Sequence, residues 1–429
     1  MEFSSSQKNF DIASIILAGG KGTRLFPLTL NHSKPGVSYG GRYKLIDIPI
    51  SNSLNSNIRQ IVVIGQYLVA ELQHHLSQTY QFDNFFPGRL DLLTPEEKPN
   101  GEKVWFEGTA DAIRKNLDKI LDLPVEYFLI LSGDQLYNID FQKMFEFAKK
   151  KDADLTIASL PVNENDAKRM GLLKIDDESY IKDFYEKPTT SDLLDKFKLP
   201  SNFHEKFQVE KKPYLGSMGI YIFKRKVLET LLKEDLREDF GKHLIPTQIK
   251  SGKTAAFVYK GYWEDIGTIK SYFEANLALS NLNHGLQIYD EKNPIYTRAH
   301  HLPGARINTK HLQDSIICEG CLIYAEKIEN SMIGLRSTIK KGSVLKNCVL
   351  LGNPSYRLIN KNIKLPDYFE IGENCILENC IIDEQVKIGN NVKLINKKKY
   401  STYDSNGIYV RDSIIIITAG TTIADNFEF

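Results

Sequence analysis

The chain has 429 residues, 25% charged and 42% hydrophobic, and its 55 Lys and Arg against 54 Asp and Glu leave a formal charge of +1. That balance excludes a general nucleic-acid binder, which needs a strong basic excess, though not a locally basic site. Average apolar content with scattered charge excludes a disordered chain, and the length suits two domains.

Met1 to Asp11 is polar and has no apolar signal core, and no apolar run approaches the roughly 18 residues that span a membrane, so a cytoplasmic protein is expected. Ile12–Ala18 is a short apolar run ending in Gly19-Gly20 and reads as a buried strand. Ile61–Ile64, Tyr127–Leu131, Leu155–Leu160 and Ile220–Phe223 are further strand-like runs. Between them, Asp111–Leu121 sets Ala112, Ile113, Leu117, Ile120 and Leu121 near one helical face. Phe141–Lys150 does the same with Phe141, Met144, Phe145 and Ala148. This alternation predicts an α/β domain over residues 11–285, with a Rossmann-like, mostly parallel sheet whose ligands gather at the C-terminal strand ends.

A linker over 286–303 leads to a second pattern over 304–429. Aliphatic residues recur every five or six positions, at Ile317, Ile323, Ile328, Ile333, Ile339 and Leu345, then at Ile371, Ile376, Ile382, Ile388 and Leu394. Such a period suits neither a helix nor a plain amphipathic strand, but it suits a triangular parallel β-helix with one short side per hexapeptide. Gly352 to Asp367, with Pro354 and Pro366, interrupts it and should leave the stack. Cys318, Cys321, Cys348, Cys375 and Cys380 all fall here. An odd number excludes a complete disulfide set within one chain, and only Cys318 and Cys321 have a metal-like spacing, so small reduced residues filling a narrow coil are expected.

The strongest motif is Leu17-Ala18-Gly19-Gly20-Lys21-Gly22-Thr23-Arg24-Leu25, directly after the first strand. Its spacing is neither that of a P-loop nor that of a dinucleotide fingerprint. Its glycines let backbone N–H groups approach phosphates, and Lys21, Arg24 and nearby Lys34 add the charge that suits a triphosphate. Asp134 follows the Tyr127–Leu131 strand and should sit at the sheet's C-terminal edge, and Asp265 lies in a tight, glycine-flanked segment.

With this loop stand Gly108-Thr109-Ala110-Asp111-Ala112, Ser132-Gly133-Asp134, Glu186-Lys187-Pro188, Ser217-Met218-Gly219-Ile220-Tyr221 and Gly261-Tyr262-Trp263-Glu264-Asp265-Ile266-Gly267-Thr268. In this order they resemble the sugar-1-phosphate nucleotidylyltransferases, and most closely the glucose-1-phosphate adenylyltransferase family. The resemblance runs from Ile12 into the β-helix, which it implies is left-handed. It implies transfer of the adenylyl group of ATP to α-D-glucose 1-phosphate, giving ADP-glucose and pyrophosphate, in glycogen or starch synthesis. It implies Mg²⁺ held by Asp134 and Asp265, with Arg24 and Lys34 as catalytic phosphate contacts. Leu17, Ala18, Gly19, Gly20, Gly22, Thr23, Gln66, Gly108, Thr109 and Ala110 match ATP-site positions. Phe106, Gly171, Glu186, Lys187 and Ser217 match the glucose 1-phosphate site, Phe106 replacing a Tyr of other members. Lys397 matches a position that binds a phosphorylated effector in relatives, Arg411 replaces a lysine at another such position, and a homotetramer is implied. The alternatives are another nucleotide (UTP, dTTP or GTP) and a non-catalytic subunit; the joint presence of Arg24, Lys34, Asp134, Lys187 and Asp265 argues against the second.

Overall fold

The structure, a computed structural model, describes residues 11–83, 87–96, 105–283, 285–358 and 367–429. The polar segment before Asp11 and the middle of the Gly352–Asp367 excursion lie outside these residues. Ile12–Ala18 (β1), Gln60–Gly65 (β2), Arg89–Leu93 (β3) and Tyr127–Ser132 (β4) pair in parallel in the order β3-β2-β1-β4. Alternate residues of β1 enter opposite cores: Ala13 and Ile15 face one, Ile12 and Ile16 the other. A strand covered on both faces explains its unbroken apolar run.

Beyond β4 the sheet gains antiparallel strands. Gly171–Ile175 (β5), Ile181–Glu186 (β6) and Tyr214–Lys224 (β7) follow in the order β4-β7-β5-β6, while Leu155–Val162 joins β7 and Thr254–Val258 joins Leu155–Val162. Among the described residues this is one nine-stranded sheet. The helix predicted over Asp111–Leu121 is two helices, Thr109–Arg114 (α1) and Leu117–Leu121 (α2). Asn116 divides them: it leaves helical dihedrals, and its side chain donates to the Ala112 carbonyl at 2.9 Å, the local competition that disfavours Asn inside helices.

The second unit is a parallel β-helix. Ile323 stacks on Ile339 and Ile328 on Leu345, and Ile339, Ile371 and Ile388 form one inward column that closes across the excursion. The excursion's described ends, Arg357–Leu358 and Asp367–Tyr368, pair antiparallel to each other. One predicted inward position is corrected: Ile376 is exposed, and its neighbours Cys375 and Leu377 fill the interior instead, because alternation along the strand sends Ile376 outward. All five cysteines are buried and unpaired, and burial pushes the Cys318 thiol up to about 12. Asn330, Asn347 and Asn379 turn one corner in left-handed backbone and hydrogen-bond to one another at 2.8 and 2.9 Å. Among the described residues, no helix is long and apolar enough to cross a membrane.

The two units share a core. Leu25, Leu28, Val37 and Tyr39 of the first pack in one cluster with Met332, Val349, Ile381, Ile414 and Ile416 of the β-helix. A polar seam borders it: Leu335 N–H donates to the Gly41 carbonyl at 3.0 Å, and Ser38 Oγ donates to Glu384 Oε1 at 2.9 Å. Lys44 Nζ lies 2.9 Å from Glu71 Oε1 and 3.7 Å from Glu384 Oε1, and His32 hydrogen-bonds Glu71. Burial disfavours charge on both members of the His32–Glu71 pair. Their mutual hydrogen bond and opposite charges outweigh it: His32 is raised above its ordinary value despite the opposing charge of Lys44, and Glu71, which Lys44 also favours as a carboxylate, is lowered to about 2. Burial raises Asp383, on the β-helix side, to about 6.

The signs fix a pH dependence. The stabilisation from His32 is complete below its unfolded value of 6.5 and is lost as pH rises through its higher folded value. Glu71 contributes above its unfolded value and loses that contribution only as pH falls towards about 2. Denaturant unfolding should therefore show stability falling as pH rises above about 6.5, no more steeply than about 1.4 kcal/mol per pH unit for one group. In His32→Gln that decline should flatten; an unchanged slope would remove His32 from it.

Candidate active site

β1 ends at Ala18, and the chain turns through Gly19–Gly22 into a short helical turn, Thr23–Leu25. Gly22 has φ +62°, and a Cβ there would come within 2.9 Å of both Lys34 Cβ and Thr29 Cγ2. Only glycine lets the loop lie on the Lys34-Pro35 segment. Leu25 is buried beneath the turn, whereas Arg24 is exposed, its guanidinium 3.5 Å from where a Cβ of Gly267 would stand.

Asp134 stands two residues after β4, at the C-terminal sheet edge, and accepts hydrogen bonds from Lys34 Nζ and Ser132 Oγ. Gln135–Tyr137 pairs antiparallel with Trp263–Asp265, which sets Asp265 opposite Gln135, and Ile266 N–H donates to the Asp134 carbonyl at 3.2 Å. Asp265 is raised above the usual carboxylate range, first by burial and then by the charge of Asp134, against the opposing pull of Lys34 and Arg24. Two half-buried oxygen donors that repel each other at the sheet edge fit a hard divalent cation. Among the described residues no cluster of three or more His, Cys, Asp or Glu could hold a metal, so Mg²⁺ here would share Asp134 and Asp265 with substrate phosphates.

A cavity of 530 Å³ opens beside these groups. Its walls include Leu17, Ala18, Gly19, Gly20, Lys21, Lys34, Gln66, Phe106, Gly108, Thr109, Asp134 and Glu186. Gly22, Thr23, Arg24, Ala110, Gly171, Lys187, Ser217 and Asp265 flank the cavity rather than line it. Gly171 pairs with Glu186 across β5 and β6, and Lys187 Nζ lies 3.4 Å from Glu186 Oε1. Lys187 takes left-handed backbone, φ +52°. Ser217 is buried and hydrogen-bonds with Tyr221, which lines the cavity. Lys397 and Arg411 lie on the β-helix: Lys397 Nζ is 3.5 Å from Glu428 Oε2, and Arg411 bonds Asp404 in the hairpin formed by Thr402–Ser405 (β8) and Ile408–Arg411 (β9).

Three findings were not legible in the motifs. Asp239, Phe240 and Gly241 line the cavity, and Asp239 adds to the burial that raises Glu186. Gln66 is committed to the backbone of Phe106, accepting from its N–H at 2.8 Å and donating to its C=O at 3.3 Å. Thr109 and Ala110 are committed to the 238–240 segment: Ala110 N–H donates to the Glu238 carbonyl at 2.8 Å, and Phe240 N–H to Thr109 Oγ1 at 3.2 Å. A Cβ on Gly108 would lie 2.3 Å from that carbonyl, so Gly108 makes room for protein backbone.

A glycine loop, a carboxylate pair and several cations at the C-terminal edge of a parallel sheet define a nucleotide-transferring enzyme. Consistent with this, a family model described as nucleotidyl transferase matches residues 13–281, and one described as the GLGC left-handed parallel beta-helix domain matches residues 300–427. The chain belongs to the nucleotidyl transferase family, and its second unit makes it a sugar-1-phosphate nucleotidyltransferase of the GLGC type.

The clasp between α1 and the 238–240 segment ties the glycine-loop side of the cavity to the Glu186 side. Thr109→Val removes one hydrogen bond of the clasp, a loss of about 0.5–1.5 kcal/mol. Steady-state kinetics should then show the KM for the sugar phosphate rising about 2- to 10-fold, with a smaller change for the nucleotide. A change confined to the nucleotide would show that Thr109 serves the base instead.

Proposed function

We propose that the chain transfers the adenylyl group of ATP to α-D-glucose 1-phosphate, releasing pyrophosphate and ADP-glucose. One observation carries the reading: a single cavity is lined both by Lys21 and Lys34, with Asp134, and by Glu186 and Asp239. Cations suited to phosphates and carboxylates suited to sugar hydroxyl groups thus line one cavity. The choice of adenine and glucose rests on the motif resemblance.

The chemistry needs no general base. A sugar phosphate has its second pKa near about 6, so its oxygen is already anionic at pH 7. That oxygen forms a bond to the α-phosphorus of ATP, the bond from this phosphorus to the β-phosphate oxygen breaks, and pyrophosphate leaves with the electron pair. The obstacle is repulsion between two polyanions, and positioned cations lower it. Lys21 and the glycine-loop amides cradle the triphosphate. Arg24 and Lys34 neutralise charge that builds on the phosphates, and both already sit against the carboxylate pair. When bound by Asp134 and Asp265, Mg²⁺ supplies Lewis-acid stabilisation of the phosphate oxygens. Lys187 holds the attacking phosphate, and Glu186 and Asp239 accept hydrogen bonds from sugar hydroxyls. A phosphorylated effector near exposed Lys397 and a four-chain assembly belong to the same reading.

Parallel assays of ATP, UTP, dTTP and GTP with glucose 1-phosphate test it; ATP should support the highest kcat/KM, and ATP performing no better than the rest would overturn it. Lys187→Ala should raise the KM for glucose 1-phosphate about 10- to 100-fold, the worth of a charged hydrogen bond, and leave the KM for ATP within about threefold. Equal rises for both substrates would take Lys187 out of the sugar-phosphate site.

A further inference from the structure

The β-helix touches the catalytic loop at one point that the motifs do not mark. Phe26 directly follows the Thr23–Leu25 turn. Its ring meets the Tyr409 ring edge-on, with centroids 5.4 Å apart and planes at 87°. The Arg411 guanidinium lies 5.4 Å from the Phe26 centroid and 5.8 Å from that of Tyr409. Both residues belong to β9, which is paired on one side with β8 and on the other with Ile414–Ile417.

The guanidinium is fixed. It donates to the carbonyls of Tyr403 at 3.2 Å and Val410 at 2.8 Å, and to the Asp404 carboxylate. Planar and permanently charged, it suits a stack on aromatic rings better than a lysine would. On the other side of the contact, Leu25 is fully buried in the core that includes Ile414 and Ile416, with Tyr409 packed against it. The turn bearing Arg24 is therefore gripped twice by the β-helix, at Leu25 and at Phe26.

We infer that Tyr409 and Arg411 are positioning residues for nucleotidyl transfer, holding Phe26 so that the adjoining turn presents Arg24 to the Asp134–Asp265 edge. The inference rests on the reading of Arg24 as a phosphate contact. It gives the terminal hairpin a part in the chemistry through a chain of contacts only two residues long, and it assigns Arg411 to the protein's own loop.

A double-mutant cycle tests it. Arg411→Ala in the full-length protein should lower kcat between about tenfold and about 100-fold, the range for a small misplacement of a catalytic group, and leave the KM for sugar phosphate unchanged. In an Arg24→Ala background, the same substitution should change kcat less than about twofold, because the group it positions is gone. Tyr409→Phe keeps the ring and should retain wild-type kcat, whereas Tyr409→Leu should behave as Arg411→Ala does and replaces it in the cycle if that variant does not fold. Folding is read by circular dichroism and thermal midpoint. A full kcat loss persisting in the Arg24→Ala background, or folded Arg411→Ala and Tyr409→Leu variants with wild-type kcat, would overturn the inference. Wild-type turnover with another nucleotide would overturn the choice of ATP alone, and the cycle would then run with that nucleotide. No wild-type turnover with any nucleotide would overturn both.

Discussion

The structure depends on one shared core. Leu25, Leu28, Val37, Tyr39, Leu45 and Ile48, at and after the end of the glycine loop, are buried in one cluster with Met332, Val349, Leu351, Ile381, Ile414 and Ile416 of the β-helix. Tyr272 and Phe273 of the helix Ile269–Ala278 close the same cluster. A fully buried Leu or Ile side chain is worth about 1.5–3 kcal/mol relative to exposure, so a cluster of this size cannot open without large cost. The glycine loop thus departs from the usual picture of a mobile surface loop on a rigid sheet. Its first residues hang from β1, and its later ones are seated on the second unit.

Charge in the site follows a related logic. Bringing two polyanions together calls for cations, but unpaired cations in a cleft are costly, and so is a pair of neighbouring carboxylates. Here each answers the other. Lys34 bonds Asp134, and Arg24 and Lys34 both pull against the burial and repulsion that raise Asp265. Asp134 holds Lys34 in place, and Lys34 and Arg24 offset the mutual repulsion of the two carboxylates. A formal charge of +1 over the chain is compatible with this because the opposite charges are matched locally.

Much of this was legible in the sequence, for identifiable physical reasons. β1 is an unbroken apolar run because it is buried on both faces, and the β-helix announces itself because one inward aliphatic per side is a geometric necessity. The glycine loop is legible because phosphate approach restricts residue type. What escaped was set by tertiary partners. Periodicity carried across Asn116, where a side-chain bond to Ala112 divides the helix. It also chose Ile376 over Leu377, because a six-residue count does not say which of two adjacent aliphatics turns inward. Asp239 sits in a segment with no periodic pattern, and Phe26 and Arg411 are 385 positions apart in a chain where only folding makes them neighbours.

Glycine shows most clearly where sequence reasoning stops. In a nucleotide-binding protein, a glycine within a motif reads as space for phosphate or base. Gly22 does provide space, but its missing Cβ clears Thr29 and Lys34, and so lets Lys34 lie against the loop. Gly108 clears the Glu238 carbonyl. With Gln66, Thr109 and Ala110 also engaged by backbone, the motif residues around the cavity spend their polar atoms on protein contacts that hold the walls together. In the proposed reaction, substrate recognition falls to other groups that line the cavity, such as Lys21, Glu186 and Asp239. A motif of this kind marks the frame of a site as much as the atoms that touch the ligand, and the same reasoning extends outward to the β-helix hairpin, whose grip on Phe26 frames Arg24 from a different domain.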